Sequence, residues 1–423
     1  MANIQRVTGM QDILPEDRFY WDWVEQTATD LAHSYGFQRL DLPIIEYTEL
    51  FARGMGTASD VFVQKEMYTI EEPDGSFITL RPEFTAGVVR AYIQNGMASW
   101  PAPVKLFLIG PIFRRERPQA GRYRQHSQFN VEILGETDPA ADLEVMLLAM
   151  NLYRELGYKG LTFQLNSTGC PECRPAYIAA LQAYLAEHVD QLADIDKERM
   201  ERNALRVLDS KEKGMDDLLA AAPHIIDYLC EDCDTHFTDL RVMLDALDQN
   251  YAINFRLVRG IDYYTKTVFE VWAEGIGAQA SVCGGGRYDG LAEAVGGTAT
   301  PGVGFGSGIE RIVLGLKEAS IRPPQADEPK ILVAHFGGET KTTAVQVTYL
   351  LRMAGIPTRL AFARERRSMK SQMREANRHN MRFILILGED EVEAGVVMVR
   401  PLDGGQQEAV AIDKLVEWIK AQY

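Results

Sequence analysis

From Asp17 to Ser34 apolar and aromatic residues recur at helical spacing, and Gly36 follows where a helix C-cap belongs. That spacing predicts an amphipathic helix. The next stretch, FQRLDLPIIEYTELF, reads as extended and is interrupted at Pro43, a residue best tolerated at a sheet edge or a subunit contact. IEEPDGSFITLRPEF reads as a hairpin turning at Asp74-Gly75, and Ala86 to Asn95 as a helix. Between Val104 and Leu134 two β-like runs, KLFLIGPIFRRE and YRQHSQFNVEIL, are joined by a short loop containing Pro118 and Gly121. This predicts an antiparallel pair.

After Ala140 the period turns helical, and from Cys170 to about Asn250 strand signals are few, which predicts an inserted helical domain. β-like character returns in INFRLVRGIDYYTKTVFEVW and QASVCGGGRYDG. GVGFGSGIERIVLGL then runs from a strand through glycines into a helix. Proline-rich, polar IRPPQADEP is a linker. Beyond it ILVAHF, a helix near Thr340 to Met353, PTRLAF, a helix near Ser368 to His379, RFILILG and VVMVR alternate as β-α-β-α-β-β. A helix from Asp413 to Lys420 closes a small α/β module with a mixed sheet.

The 423 residues suffice for two or three domains. No stretch approaches the ~18 consecutive apolar residues of a membrane span. The N-terminal residues lack a basic start followed by an apolar block, so no export signal or membrane is expected and the cytoplasm is the default compartment. Sixty acidic residues against 44 basic ones leave a net charge of -16, which argues against unspecific adhesion to nucleic acid. From Lys330 onward 14 Lys+Arg face 11 Asp+Glu, so this segment is +3 and the rest -19. A module of opposite sign could hold a phosphate backbone. Five cysteines, an odd number, make no disulfide framework. Cys170-Pro-Glu-Cys173 and Cys230-Glu-Asp-Cys233 are chelate-spaced pairs that could hold a structural zinc ion or be reduced thiols near helix ends. Their separation is much longer than in compact zinc modules. No metal is assigned, and the four remain zinc candidates.

Chemistry concentrates in FRRERPQAGRYRQHSQFNVE. Strand alternation puts Arg122, Arg124, His126, Gln128, Asn130 and Glu132 on one face, and Tyr123, Phe129, Val131 and Ile133 on the other. An ordinary half-buried strand also shows a polar face. Arg114 on the partner strand and an acid at the far end shift the balance: cations suit phosphates, and a deeper carboxylate and amide suit an amine or ring N–H. In TLRPEFTAGVVRA, alternation places Arg81, Glu83 and Thr85 on one face before a helix. VRGIDYYTKTVFE combines Arg259 with Tyr263 and Tyr264. The three glycines of SVCGGGRYDG let backbone approach a ligand or another strand, with a tight turn as the plainer reading. GVGFGSGIER is not a dinucleotide fingerprint, because it lies late in the domain and lacks the strand-helix-strand setting. There is no Walker-type loop.

Taken together, these segments resemble the histidyl-tRNA synthetases. Gly36 to Phe51 is similar to motif 1 of class II aminoacyl-tRNA synthetases, with Pro43 at the dimer interface; Phe113 to Glu132 resembles motif 2, and Gly302 to Leu314 motif 3 with Arg311. VRGIDYYT and SVCGGGRYDG look like the two histidine signatures, and LRPEFT like the amino-group site. NSTGCPECRPAY, NALRVLDSKEKG and YLCEDCDTHF match the insertion more loosely. The resemblance implies an α+β class II fold: an antiparallel-sheet catalytic domain over 1–324 with a helical insertion at about 170–250, a linker at 325–329, and an α/β anticodon-binding domain over 330–423.

It also implies ATP, Mg2+, L-histidine, tRNA(His) and a homodimer. Glu83, Thr85 and Gln128 would hold the histidine ammonium. Glu132 and Tyr264 would grip the imidazole, with Tyr263 and Tyr288 lining the same pocket. Arg114 and Arg259 would flank the α-phosphate, and with Gln128 they form the expected catalytic set. Arg122, His126 and Arg311 would lie on the nucleotide. Two departures stand out. His126-Ser127 occupy the place of the family's usual Phe-His pair, and Asp194, Asp196 and Ser210 replace cysteines frequent in the insertion. The competing readings are a regulatory paralogue of the synthetases that serves ATP phosphoribosyltransferase, a sister synthetase for threonine, proline or glycine, and an RNA-binding scaffold. The RGIDYYT segment, Arg114, Arg311 and the full module after Pro329 disfavour the first, Glu132 and the two histidine signatures the second, and the many arginines aimed at one pocket the third.

Overall fold

The computed structural model describes residues 4–54, 66–117, 121, 123–259, 263–274, 281–324, 330–336, 340–362 and 367–422. The proposed linker 325–329, Pro118, Arg122 and Gly260 to Asp262 of the first histidine signature lie outside them. The chain divides into two compact units, Met1–Pro323 and Pro324–Tyr423.

In the first unit a helix over Pro15–Ser34 ends before Gly36, whose φ of +79° supplies the left-handed turn. Strands β1 (Gln38–Arg39) and β2 (Ile45–Tyr47) flank Pro43, and β3 (Tyr68–Glu71) and β4 (Phe77–Leu80) form the hairpin around Gly75. The extended reading of YTELF fails at its end. Thr48–Gly54 is helical, because burying Phe51 against Ala86 and Met67 outweighs the strand-like local composition. A helix over Thr85–Gln94 precedes β5 (Val104–Phe113) and β6 (Gln125–Leu134), which pair antiparallel along their whole lengths.

Next come a helix over Pro139–Glu155 and β7 (Thr162–Ser167), and then the insertion with helices at Arg174–Glu187, Asp194–Arg202, Met215–Ala220 and Glu231–Ala246. The insertion has its own apolar core around Tyr177, Leu181, Leu185, Leu208 and Leu219. β8 (Tyr251–Ile253), β9 (Thr265–Trp272), β10 (Ser281–Arg287) and β11 (Gly302–Gly308) complete an eight-stranded sheet of order β1-β5-β6-β11-β10-β9-β7-β8. It is antiparallel except at its two edge pairs, β1–β5 and β7–β8. One face carries Phe129, Val131, Ile133, Phe269 and Phe305 into a core shared with the helices at Pro15–Ser34, Pro139–Glu155 and Ile309–Glu318. The other face of β6 is thereby left to polar side chains.

The second unit is a mixed sheet. β12 (Ile331–His335), β13 (Thr358–Leu360) and β14 (Phe383–Leu387) run parallel; β15 (Val396–Pro401) and β16 (Glu408–Ala411) continue antiparallel. Strand β16 and a short helix at Glu389–Glu393 extend the pattern read from sequence. Both faces of the central strands are buried, Ile331, Val333 and Leu385 on one side and Leu332, Ala334 and Ile384 on the other. This accounts for their unbroken apolar runs.

Candidate active site

Strand β6 grades from exposed at Gln125, through half-buried His126 and Gln128, to fully buried Glu132. One strand thus spans a wet end and a dry end. At the dry end Glu132 accepts hydrogen bonds from Thr85 Oγ1 at 2.6 Å and from the Tyr288 hydroxyl at 2.5 Å. Burial pushes its carboxyl up to about 8, against the pull of those two hydroxyls, and the charge of Glu83 adds to the rise.

Glu83 is also buried and caps the helix that starts at Thr85. Its oxygens accept from the backbone N–H of Thr85 at 2.6 Å and of Ala86 at 2.9 Å. Burial raises this carboxyl too, while the two N–H donors and the nearby Arg114 guanidinium oppose the rise. Arg81 does not join them. Strand β4 ends at Leu80, so alternation stops there, and Arg81 turns to the carbonyls of Leu42, Pro43 and Pro111.

Tyr263, Tyr264 and Tyr288 wall the same space: the rings of Tyr263 and Tyr264 are 4.9 Å apart, and those of Tyr263 and Tyr288 are 5.9 Å apart. Burial pushes the Tyr264 hydroxyl up and the neighbouring Arg259 guanidinium pulls it down. Arg259 Nη1 is paired with Glu270 at 2.7 Å, whereas Arg114 Nε donates to the Pro82 carbonyl at 2.9 Å.

Glycines make room for this constellation. A Cβ at Gly284 would lie 2.4 Å from Arg259 Nη1, at Gly286 2.8 Å from the Tyr264 ring, at Gly304 1.8 Å from Glu132 Oε2, and at Gly306 2.4 Å from Gln128 Nε2. Gly284 to Gly286 therefore lie within strand β10 and are no tight turn; they and the glycines of β11 are the floor under the polar face.

At the wet end His126 Nδ1 lies 3.2 Å from the Tyr123 carbonyl, and Arg311 sits half-buried at the start of the helix over Ile309–Glu318. Glu310 joins the two segments, both of its oxygens accepting from the Ser127 N–H at 2.9 Å; burial pushes this carboxyl up to about 7. Sequence reasoning missed this brace. It also missed Arg287, fully buried against Asp142 and donating to the Glu136 carbonyl at 2.7 Å, with His236 on the same carboxylate at 3.3 Å. The alternating glycines of GVGFGSG, matched to the period of the polar face of β6, were the available signal for the floor. Asp142 and His236 carry none, being 94 residues apart and buried on helices.

Away from this pocket, the four zinc candidates are brought together. Cys170, Cys173, Cys230 and Cys233 place their sulfurs within 4.8 Å of one another. The long gap between the pairs is closed by the insertion, whose last helix returns beside its first. Asp196 and Ser210 lie apart from them, as a buried hydrogen-bonded pair 2.5 Å apart.

A family model described as histidyl-tRNA synthetase matches residues 9–312, and one described as anticodon binding domain matches residues 330–422. The histidine–tRNA ligase of Desulforamulus reducens is 44% identical over 417 residues, covering 99% of each chain. That of Dehalococcoides mccartyi strain 195 is 44% identical over 418 residues, again covering 99% of each. The crystal structure of apo histidyl-tRNA synthetase from S. aureus is 33% identical and superposes with a TM-score of 0.82, covering 99% of this chain and 100% of that one.

Proposed function

The chain belongs to the histidyl-tRNA synthetase family, and from that membership we propose how its residues divide the ligation of histidine to tRNA. A histidine–tRNA ligase joins ATP and L-histidine into histidyl-adenylate and diphosphate, then passes the histidyl group to tRNA(His). The observation that carries the division of labour is the gradient along β6, with a carboxyl in a dry tyrosine-walled pocket at one end and guanidiniums near the open end.

Glu132 takes the imidazole N–H, and Tyr264 lies against the ring. An apolar side chain is rejected because it would give the buried carboxyl no ring N–H to add to the Thr85 and Tyr288 hydroxyls. Glu83, Thr85 and Gln128 take the ammonium, whose three N–H donors they match with oxygen acceptors. The histidine carboxylate then points toward Arg114 and Arg259. As it attacks the α-phosphorus, negative charge grows on the equatorial oxygens, and guanidiniums already held by Pro82 and Glu270 stabilise it without rearranging. ATP would enter as its Mg2+ complex, the ion supplying charge neutralisation that makes diphosphate a better leaving group. Arg311 and Arg122 take the nucleotide phosphates, and the His126 ring takes the place against adenine usually held by phenylalanine.

In the second step a terminal ribose hydroxyl of tRNA attacks the mixed anhydride, with a phosphate oxygen of the departing AMP as proton acceptor. Residues 330–422 hold the anticodon. A homodimer is supported by the exposed apolar face of the three-stranded β2-β4-β3 sheet, where Ile45, Tyr47 and Ile70 are 47%, 64% and 50% exposed beside Pro43. The enzyme works in the cytoplasm.

The test is amino-acid-dependent ATP–pyrophosphate exchange with each standard amino acid in turn. Exchange with histidine alone is expected, and Glu132→Ala is expected to abolish it while the circular dichroism spectrum stays native. Undiminished exchange by that variant would sink the imidazole assignment.

A further inference from the structure

The two Cys-x-x-Cys pairs bracket the neck of the insertion, the first at the start of the helix over Arg174–Glu187 and the second at the start of the helix over Glu231–Ala246. Cys170 Sγ lies 3.7 Å from both Cys173 Sγ and Cys230 Sγ, and Cys173 Sγ lies 3.9 Å from Cys233 Sγ. Four sulfurs about 2.3 Å from one zinc ion sit at tetrahedron corners about 3.8 Å apart. From this geometry we infer that Cys170, Cys173, Cys230 and Cys233 form a closed four-thiolate site for a structural Zn2+ ion. It staples the first and last helices of the insertion to each other and to the catalytic sheet.

The surroundings are built for such a site. Cys173 and Cys233 are 5% and 1% exposed, so half of the shell is shielded from water, and all four ligand positions are taken, as in a structural rather than a catalytic centre. The Cys170 N–H donates to Cys173 Sγ at 3.2 Å, which fixes the direction of that sulfur. Gly169 turns the chain with a φ of +63°, and a Cβ there would lie 2.8 Å from Cys173 Sγ, so the turn that aims the first pair needs glycine. Both pairs sit at the positive ends of helices of 14 and 16 residues, which offset part of the negative charge of four thiolates.

The neck reaches the histidine pocket through backbone. Arg174, next to Cys173, donates to the carbonyls of Thr168 and Tyr264. Lys266 pairs with Asp232 at 2.7 Å, and its N–H donates to Gly169 at 2.8 Å from a left-handed conformation with φ of +51°. The same neck borders a groove of about 280 Å3 into which Arg174, Arg202, Arg206 and Arg259 project. The insertion's own core is small, the condition in which a metal adds most to stability.

The experiment is metal analysis of the full chain purified under reducing conditions, paired with visible spectroscopy after exchange into Co2+. About one zinc per chain is expected, and the Co2+ form should show the intense d–d and thiolate charge-transfer bands of a tetrahedral site. Cys173→Ser/Cys233→Ser should lose both. Because that variant also removes the proposed staple of the fold, the Co2+ spectrum of the unmutated chain is decisive by itself. A weak octahedral spectrum, iron in place of zinc, or the four cysteines recovered as disulfides would each overturn the proposal.

Discussion

In the proposed reading, Glu132 carries specificity at the expense of stability. In the folded chain burial holds its carboxyl up to about 8 from an ordinary value of 4.5. Between those values the unfolded chain releases a proton that the folded chain keeps, so unliganded stability falls as pH rises through this window and levels off above it. Glu132→Gln keeps the shape and cannot ionise: its amide oxygen can accept from one of the Thr85 and Tyr288 hydroxyls while its NH2 group donates to the other. Calorimetry without ligands should therefore give a higher Tm for the variant than for the unmutated chain at pH 8, and a smaller difference at pH 5. Histidine-dependent exchange should drop by about 10- to 100-fold or more, since a charged acceptor is lost. A variant less stable than the parent at pH 8 would show that the carboxylate is not penalised by burial.

At the scale of elements, the pocket is made by pairing a polar-faced strand with glycine-rich ones. Gly304 stands opposite Glu132 in the β6–β11 register. Gly304→Ala would push a methyl group into the carboxylate and the Val131 carbonyl, with an expected cost of about 1–3 kcal/mol and loss of histidine activation. Gly290→Ala, with open space around its Cβ and φ of -86°, should leave both thermal melting and exchange near parental values. Asp142→Asn tests the brace beneath. It leaves the buried Arg287 with only the partly exposed Asp289 as an anion, and urea unfolding should register a loss of about 3–5 kcal/mol.

These elements also mark what was legible. The polar face of β6, the β5–β6 pair and the helix capped at Gly36 follow from short-range periodicity, which a sequence displays directly. Arg81 was misread because the end of a strand, and hence of its alternation, is set by tertiary contacts. The Arg287–Asp142–His236 network and the closure of the four cysteines depend on segments brought together by the fold, for which spacing offers no guide.

For the whole molecule, the separation of chemistry from tRNA recognition rests on separate cores. The pocket residues draw on the sheet and helices of Met1–Pro323, whereas Pro324–Tyr423 buries its own two layers around β12 and β14. No pocket side chain described above comes from the second unit. A chain of residues 1–329 should therefore retain most of its histidine-dependent ATP–pyrophosphate exchange, because Glu132, Arg114, Arg259 and Arg311 keep their supports. Transfer to tRNA should behave differently. Removing the +3 segment leaves a body of charge -19 to meet a polyanion, so charging should fall far more than exchange, and the deficit should shrink as salt rises, because the full chain has more phosphate contacts to lose and the truncated one more repulsion to be screened. Measuring both reactions on the same truncated preparation separates the cases. Equal losses would mean that the second unit supports the pocket itself, and undiminished charging would mean that tRNA is held by the catalytic unit and its insertion alone.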